Sequence, residues 1–96
     1  MNDYIFNWDD EKNKLNINKH GITFDEASTV FDDDDAIFIR DDIHSLSEER
    51  YIVIGFSEKA RILIVCHCYR NGEKVVRIIS ARKANKSEEQ IYDGGK

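Results

Sequence analysis

Proline is absent from this 96-residue chain, cysteine occurs only twice, and no stretch approaches the roughly 18 consecutive apolar residues that a membrane-spanning helix needs. Nor does a basic-then-apolar leader follow Met1, so the expectation is a cytoplasmic protein without membrane association. Cys66 and Cys68 fall two apart in an expected strand, on one face, with Cα atoms about 6.5 Å apart and nearly parallel Cβ vectors. A disulfide there would distort the backbone. Two thiols are also too few for structural zinc, and His67 between them points to the other face, so buried reduced thiols and no metal site are expected. The acidic run 32–35 lacks the glycine and glutamate that a calcium loop requires at its sixth and twelfth positions. No cofactor motif, internal repeat or low-complexity segment is found.

Positive charge is scarce overall, at 14 Lys and Arg against 19 Asp and Glu, for a net charge of −5. Taken whole, that balance argues against nucleic acid; its distribution argues otherwise. Residues 1–49 hold four Lys or Arg against fourteen Asp or Glu, whereas residues 50–92 hold nine against four. A field split this way lets one surface attract a polyanion while the other receives a cationic partner, or both are simply solvated faces.

At this length a single domain is expected over 1–92, with 93–96 a flexible tail, burying roughly 65% of the unfolded surface around one core. A first strand is predicted at 4–7. Asp9 or Asp10 then caps a polar helix with Trp8, Leu15 and Ile17 near one side, stopped by Gly21 after His20. Thr23 to Glu26 matches a capping box, in which the Thr23 hydroxyl meets the Glu26 amide and the Glu26 carboxylate reaches back. The helix it opens, 24–31, should bury Phe24, Ala27, Val30 and Phe31. Four carboxylates at its negative end break it at 32–35, which makes a turn. Strands are expected at 36–40, 50–56, 61–70 and 74–82, with the link 41–49 polar and exposed. Asn71-Gly72 is a hairpin signal, because both residues tolerate positive φ. Asn85 to Glu88 repeats the capping-box logic and opens a short helix to about 92. The order β-α-α-β-β-β-β-α implies an α+β fold: an antiparallel β-sheet with two N-terminal helices packed on it and a short C-terminal helix.

The last two strands carry polar groups that a purely structural strand does not need: His67, Arg70, Arg77, Ser80 and Arg82. A two-residue turn at Asn71-Gly72 pairs residue 69 with 74 and 67 with 76, which sets His67 on the face of Ser80 and Arg82; a three-residue loop would place it with Arg77. Candidates for a base, an acid and cations that stabilise developing negative charge, the residue types that general acid–base chemistry uses, are all present. The Arg82 guanidinium suits two phosphate oxygens. His67 is a proton carrier or a histidine hydrogen-bonded within the sheet. Glu49 is an alternative base or plain surface. Arg70 and Arg77 serve as phosphate contacts or interface residues, and Lys83 and Lys86 can track a nucleic-acid backbone. Lys19 and His20 complement the helix dipole as a structural cap or have a functional role, Lys19 as a nucleic-acid contact. Trp8 is expected to be a buried anchor, and Tyr51 can stack on bases.

Read in order, Phe6-Asn7-Trp8-Asp9, Lys12, Lys19-His20-Gly21-Ile22, Glu48-Glu49-Arg50, Cys66-His67-Cys68-Tyr69-Arg70 and Arg77-Ile78-Ile79-Ser80-Ala81-Arg82-Lys83-Ala84 resemble the BrnT toxin family over about residues 4–92. The resemblance implies a RelE-like fold and an endoribonuclease toxin that stops translation; metal-free RNA cleavage needs a base for the 2′-hydroxyl, cations for the charged phosphorane and an acid for the leaving oxygen, and the residues above offer all three. It also implies a BrnA-like antitoxin, with operator DNA reached only through that partner. Arg82 matches the arginine of the family's Ser-Ala-Arg phrase and takes the transition-state role, with Arg77 beside it, His67 moving protons and Ser80 orienting groups. The alternatives are a catalytically silent relative acting as corepressor with a DNA-binding antitoxin, and a small RNA-binding protein with no antitoxin.

Overall fold

In the computed structural model, residues 4–94 are described. They form β1 (Ile5–Asn7), α1 (Asp10–His20), α2 (Phe24–Thr29) with a 3-10 turn at Val30–Asp32, β2 (Ile37–Arg40), β3 (Tyr51–Phe56), β4 (Ile62–Arg70), β5 (Val75–Lys83) and α3 (Lys86–Gly94). The element order is the one predicted. The expected tail at 93–96 falls partly on the last turn of α3, and residues 95 and 96 lie outside the described residues. No helix among the described residues is long and apolar enough to cross a membrane.

The caps follow from their chemistry. Asp9 Oδ1 accepts from the amides of Glu11 and Lys12 at 2.8 and 3.2 Å, and Gly21 ends α1 at φ 72°, where a Cβ would be strained. Thr23 Oγ1 accepts from the Glu26 amide at 3.0 Å. The Glu26 carboxylate does not reach back as a capping box would have it. It lies buried, accepting from Arg61 Nε at 2.8 Å and Ser57 Oγ at 2.7 Å, so that α2 is tied to the β3–β4 connection. The second box is complete: Asn85 Oδ1 accepts from the Glu88 amide, and Glu88 Oε1 accepts from the Asn85 amide, both at 2.9 Å.

The sheet order is β1-β5-β4-β3-β2, and it is mixed rather than antiparallel, because β1 pairs parallel with the first half of β5. One face is closed. Val53, Leu63, Val65, Val76, Ile78 and Ala81 pack there against Ile22, Phe24, Ala27, Val30 and Phe31. Gly55 permits the closest approach, since a Cβ at that position would stand 3.1 Å from Val30 Cβ. Trp8 is a partly buried anchor edge-on to Phe24. Leu15 and Ile17, expected with Trp8 near one side of α1, are 66% and 41% exposed. The residue of α1 that is buried is Asn16: its Nδ2 donates to Ile22 O and Ala81 O at 2.9 and 2.8 Å, and its Oδ1 accepts from Ala81 N at 3.0 Å. A polar side chain thus serves β5 as an extra ladder partner and fixes the end of α1 against it.

On the opposite face α3 covers only the half built on Ile54 and Ile64, through Tyr92. The rest of that face is open.

Candidate functional site

The connection between β4 and β5 is four residues, 71–74, with Asn71, Gly72 and Glu73 all at positive φ, so the two-residue turn is not formed. The longer loop keeps the expected parity, since Tyr69 pairs with Val76 and His67 with Ile78. What separates the expected cluster is a β-bulge. Cys66 pairs with Ser80, leaving Ile79 as the extra residue, so that β5 changes parity at that point. His67 is left on the closed face with Ile78, while Ser80 and Arg82 turn to the open face with Cys66 and Ile64.

His67 is therefore not brought to Arg82 and Ser80. It is 0% exposed and boxed by Phe31, Phe38, Tyr51 and Tyr69. Its Nδ1–H donates to Val65 O at 3.2 Å and its Nε2 lies 3.3 Å from the Tyr69 hydroxyl. Burial pushes its pKa down to about 4, against the bond to Val65 O, so the ring is neutral near pH 7. Glu49 is also placed elsewhere. It is exposed in a different cleft with Glu48, Tyr51, Cys68, Tyr69 and Glu73, held by Arg40 Nη1 at 3.1 Å and by the Tyr51 hydroxyl at 3.2 Å.

The open face carries a groove of about 430 Å³ lined by Lys19, His20, Asp41, His44, Arg50 and the outward residues of β3, β4 and β5, among them Cys66, Ser80 and Arg82. Lys19 and His20 arrive from α1, whose C-terminal end the Asn16 bonds hold beside β5. A shallower extension shares Lys19, His20, Ile79 and Ser80 and runs along α1 to Lys12. Three cations and two imidazoles thus face one carboxylate. Lys19 forms no ion pair among the described residues, whereas Arg50 Nε is buried without a hydrogen-bond partner and has only an ion pair with Glu48 at 3.8 Å. An unsatisfied buried guanidinium donor is the kind of group that an anion completes. Arg82 is engaged: its Nη1 and Nη2 donate to the two Glu88 oxygens at 2.7 and 2.8 Å, which holds the Glu88 carboxyl below its usual pKa. Cys66 and Cys68 are free, and burial pushes both thiols up.

The other predicted cations frame this groove rather than line it. Arg77 shares the open face and donates to Asn7 Oδ1 at 3.3 Å, Arg70 pairs with Glu48 at 3.4 Å, and Lys83 and Lys86 stand exposed where β5 passes into α3. Three groove residues, Arg50, Asp41 and His44, had no role in the sequence reading. Asp41 is 9% exposed and not part of an open link, and His44 Nδ1–H donates to its Oδ2 at 2.9 Å. The signal was present as a carboxylate three residues before a histidine. Among the described residues, no group of three or more His, Cys, Asp or Glu side chains is placed to hold a metal ion.

Fold and groove together define a small α+β domain whose open sheet face carries a groove lined by cations and imidazoles. A family model described as ribonuclease toxin, BrnT, of type II toxin–antitoxin systems matches residues 8–88, and the chain belongs to that family. Among solved structures it is similar to the Brucella abortus ribonuclease toxin BrnT, with a TM-score of 0.62 and 25% identity over 82% of this chain and 94% of that one. No curated protein sequence matches it.

Proposed function

We propose that the chain is a RelE-like endoribonuclease toxin that cleaves RNA without a metal ion and so inhibits translation. A BrnA-like antitoxin neutralises it by covering the open sheet face, and operator DNA is reached only through that antitoxin. The observation that carries this reading is the groove: Lys19, His20, Arg50 and Arg82 converge there, and the buried Arg50 Nε makes no hydrogen bond, standing 3.8 Å from Glu48. The phosphate diester of a single strand fits such a surface, entering along Lys12 and Lys19 while Arg77, Lys83 and Lys86 extend the positive field. The acidic first half suits a basic antitoxin segment through complementary charge.

Purified protein is expected to cleave RNA with excess chelator present. Replacing Lys19 and Arg50 together by Ala should weaken RNA binding and lower the slope of log affinity against log salt by about 1.4, the share of two single-strand phosphate contacts. An unchanged slope removes this groove from RNA binding. Antitoxin binding without RNA cleavage would instead favour the silent corepressor.

A further inference from the structure

Resting on the ribonuclease reading, we propose that the open groove holds an acid–base pair, His44 and His20, with Asp41 as the positioning residue, and that it cuts RNA by transfer of the phosphodiester to the neighbouring 2′-hydroxyl. The geometry of the 41–50 loop carries the assignment. Asp41 N donates to Arg50 O at 2.8 Å, and Ser45 Oγ donates to Asp41 O while accepting from Arg50 N at 2.9 Å. The loop is thereby closed on itself at both ends, and the Asp41 carboxylate is fixed where it receives His44 Nδ1–H. That bond selects one tautomer and leaves the Nε2 lone pair of His44 as the free proton acceptor. Orientation of a base by a third, less exposed group is the arrangement such chemistry requires. Asp41 is 9% exposed while the His44 side chain is 62% exposed, so the positioning group is sheltered and the reacting group is accessible.

His20 supplies the complementary half. It lies in the last turn of α1, where the carbonyl end of the helix complements positive charge, and it lines the same groove. Lys19 and Arg50 line the space with the two imidazoles, as cations for the phosphorane require. In the reaction His44 Nε2 takes the 2′-hydroxyl proton as O2′ bonds to phosphorus. The P–O5′ bond breaks, and His20 gives its proton to the departing O5′. The products are a 2′,3′-cyclic phosphate and a 5′-hydroxyl end, with no other reactant.

The charged and titratable groups sharing the groove with His44 are Asp41 on its own loop, Lys19 and His20 from α1, Arg50 before β3, Cys66 in β4 and Arg82 in β5. The decisive experiment measures kcat and KM against pH for wild type, His44→Ala and Asp41→Asn on a short RNA, with product ends identified. It also measures binding of an RNA whose 2′-hydroxyls are methylated. Wild type should give cyclic phosphate ends. His44→Ala should lose about 10²–10⁴-fold in kcat, bind the methylated RNA within about twofold of wild type, lose the acid limb of the pH profile and regain rate with added imidazole. Asp41→Asn should lose less and keep that limb at a shifted position. Cleavage by His44→Ala at the wild-type rate, or products with 3′-hydroxyl ends, overturns the assignment while leaving a ribonuclease. Wild type that binds the methylated RNA but cleaves no RNA overturns the assignment and the ribonuclease reading together.

Discussion

The two faces of the sheet handle polar groups in opposite ways. On the closed face Val53, Leu63, Val65, Ile78 and Ala81 are at most 1% exposed, and the polar side chains admitted beside them all have partners: His67 on Val65 O and Tyr69, Asn16 on Ile22 and Ala81, and Glu26 on Arg61 and Ser57. On the open face Lys19 lacks an ion pair among the described residues, Arg50 Nε makes no hydrogen bond and only a 3.8 Å ion pair with Glu48, and Ser80 is exposed. Alternation along β4 alone would put each side chain on a set face; the bulge at Ile79 decides that Ser80 and Arg82 join the open one. The difference teaches that residue type does not identify a site here. The histidine on the closed face, His67, is a neutral packing element, whereas His20 and His44 on the open side line a groove with cations.

The largest effect belongs to the closed side. Arg61→Met should destabilise the fold by about 3 kcal/mol, because Glu26, 1% exposed, is left without its cation. Chemical denaturation at pH 7 checks this. A loss under about 1 kcal/mol would mean that the two sides do not differ in how they hold charge.

The histidine on the closed face gives the next effect, through pH. Its folded pKa of about 4 lies below the ordinary 6.5, so the unfolded chain binds more protons between those values. The associated stability is complete above pH 6.5 and is lost as pH falls from there toward 4, by at most about 3 kcal/mol. Glu26 and Glu88, held low mainly by Arg61 and Arg82, lose theirs only as pH falls below their usual 4.5. His67→Phe should flatten stability between pH 6.5 and 5 while leaving RNA cleavage unchanged. Lost cleavage in a folded variant would put this histidine back into the chemistry.

Much of the fold was legible because local signals agreed with one another. The caps at Asp9, Thr23 and Asn85, the Gly21 stop and the apolar runs of β3 to β5 each specify their elements without long-range information. The parallel pairing of β1 was not legible, since three residues contain no sign of their neighbour. Asn16 was missed because a buried amide inside a polar helix looks like its exposed neighbours until Ala81 is beside it. The lining of the candidate groove was half legible. Lys19, Ser80 and Arg82 do meet, but a bulge has no signature in Ile78-Ile79-Ser80, so His67 was grouped with the wrong face. His44 lay in a segment whose polarity suggested solvent, and only the loop's own hydrogen bonds turn it into the groove.

The smallest expected effect on stability tests the one place where the open face resembles the closed one. Arg82 and Glu88 form a two-bonded pair like that of Arg61 and Glu26, yet their side chains are 42% and 21% exposed, against 31% and 1%. An ion pair this accessible contributes little, about 1 kcal/mol or less. Glu88→Gln keeps the acceptor that the Asn85 amide needs, so α3 retains its cap. The substitution removes the negative charge competing with a phosphate for the guanidinium. Stability should therefore change by less than about 1 kcal/mol, while RNA affinity at low salt rises severalfold and shows a steeper salt dependence. If affinity stays constant, Arg82 belongs to α3 as Arg61 belongs to α2, and the cations of the groove reduce to Lys19 and Arg50.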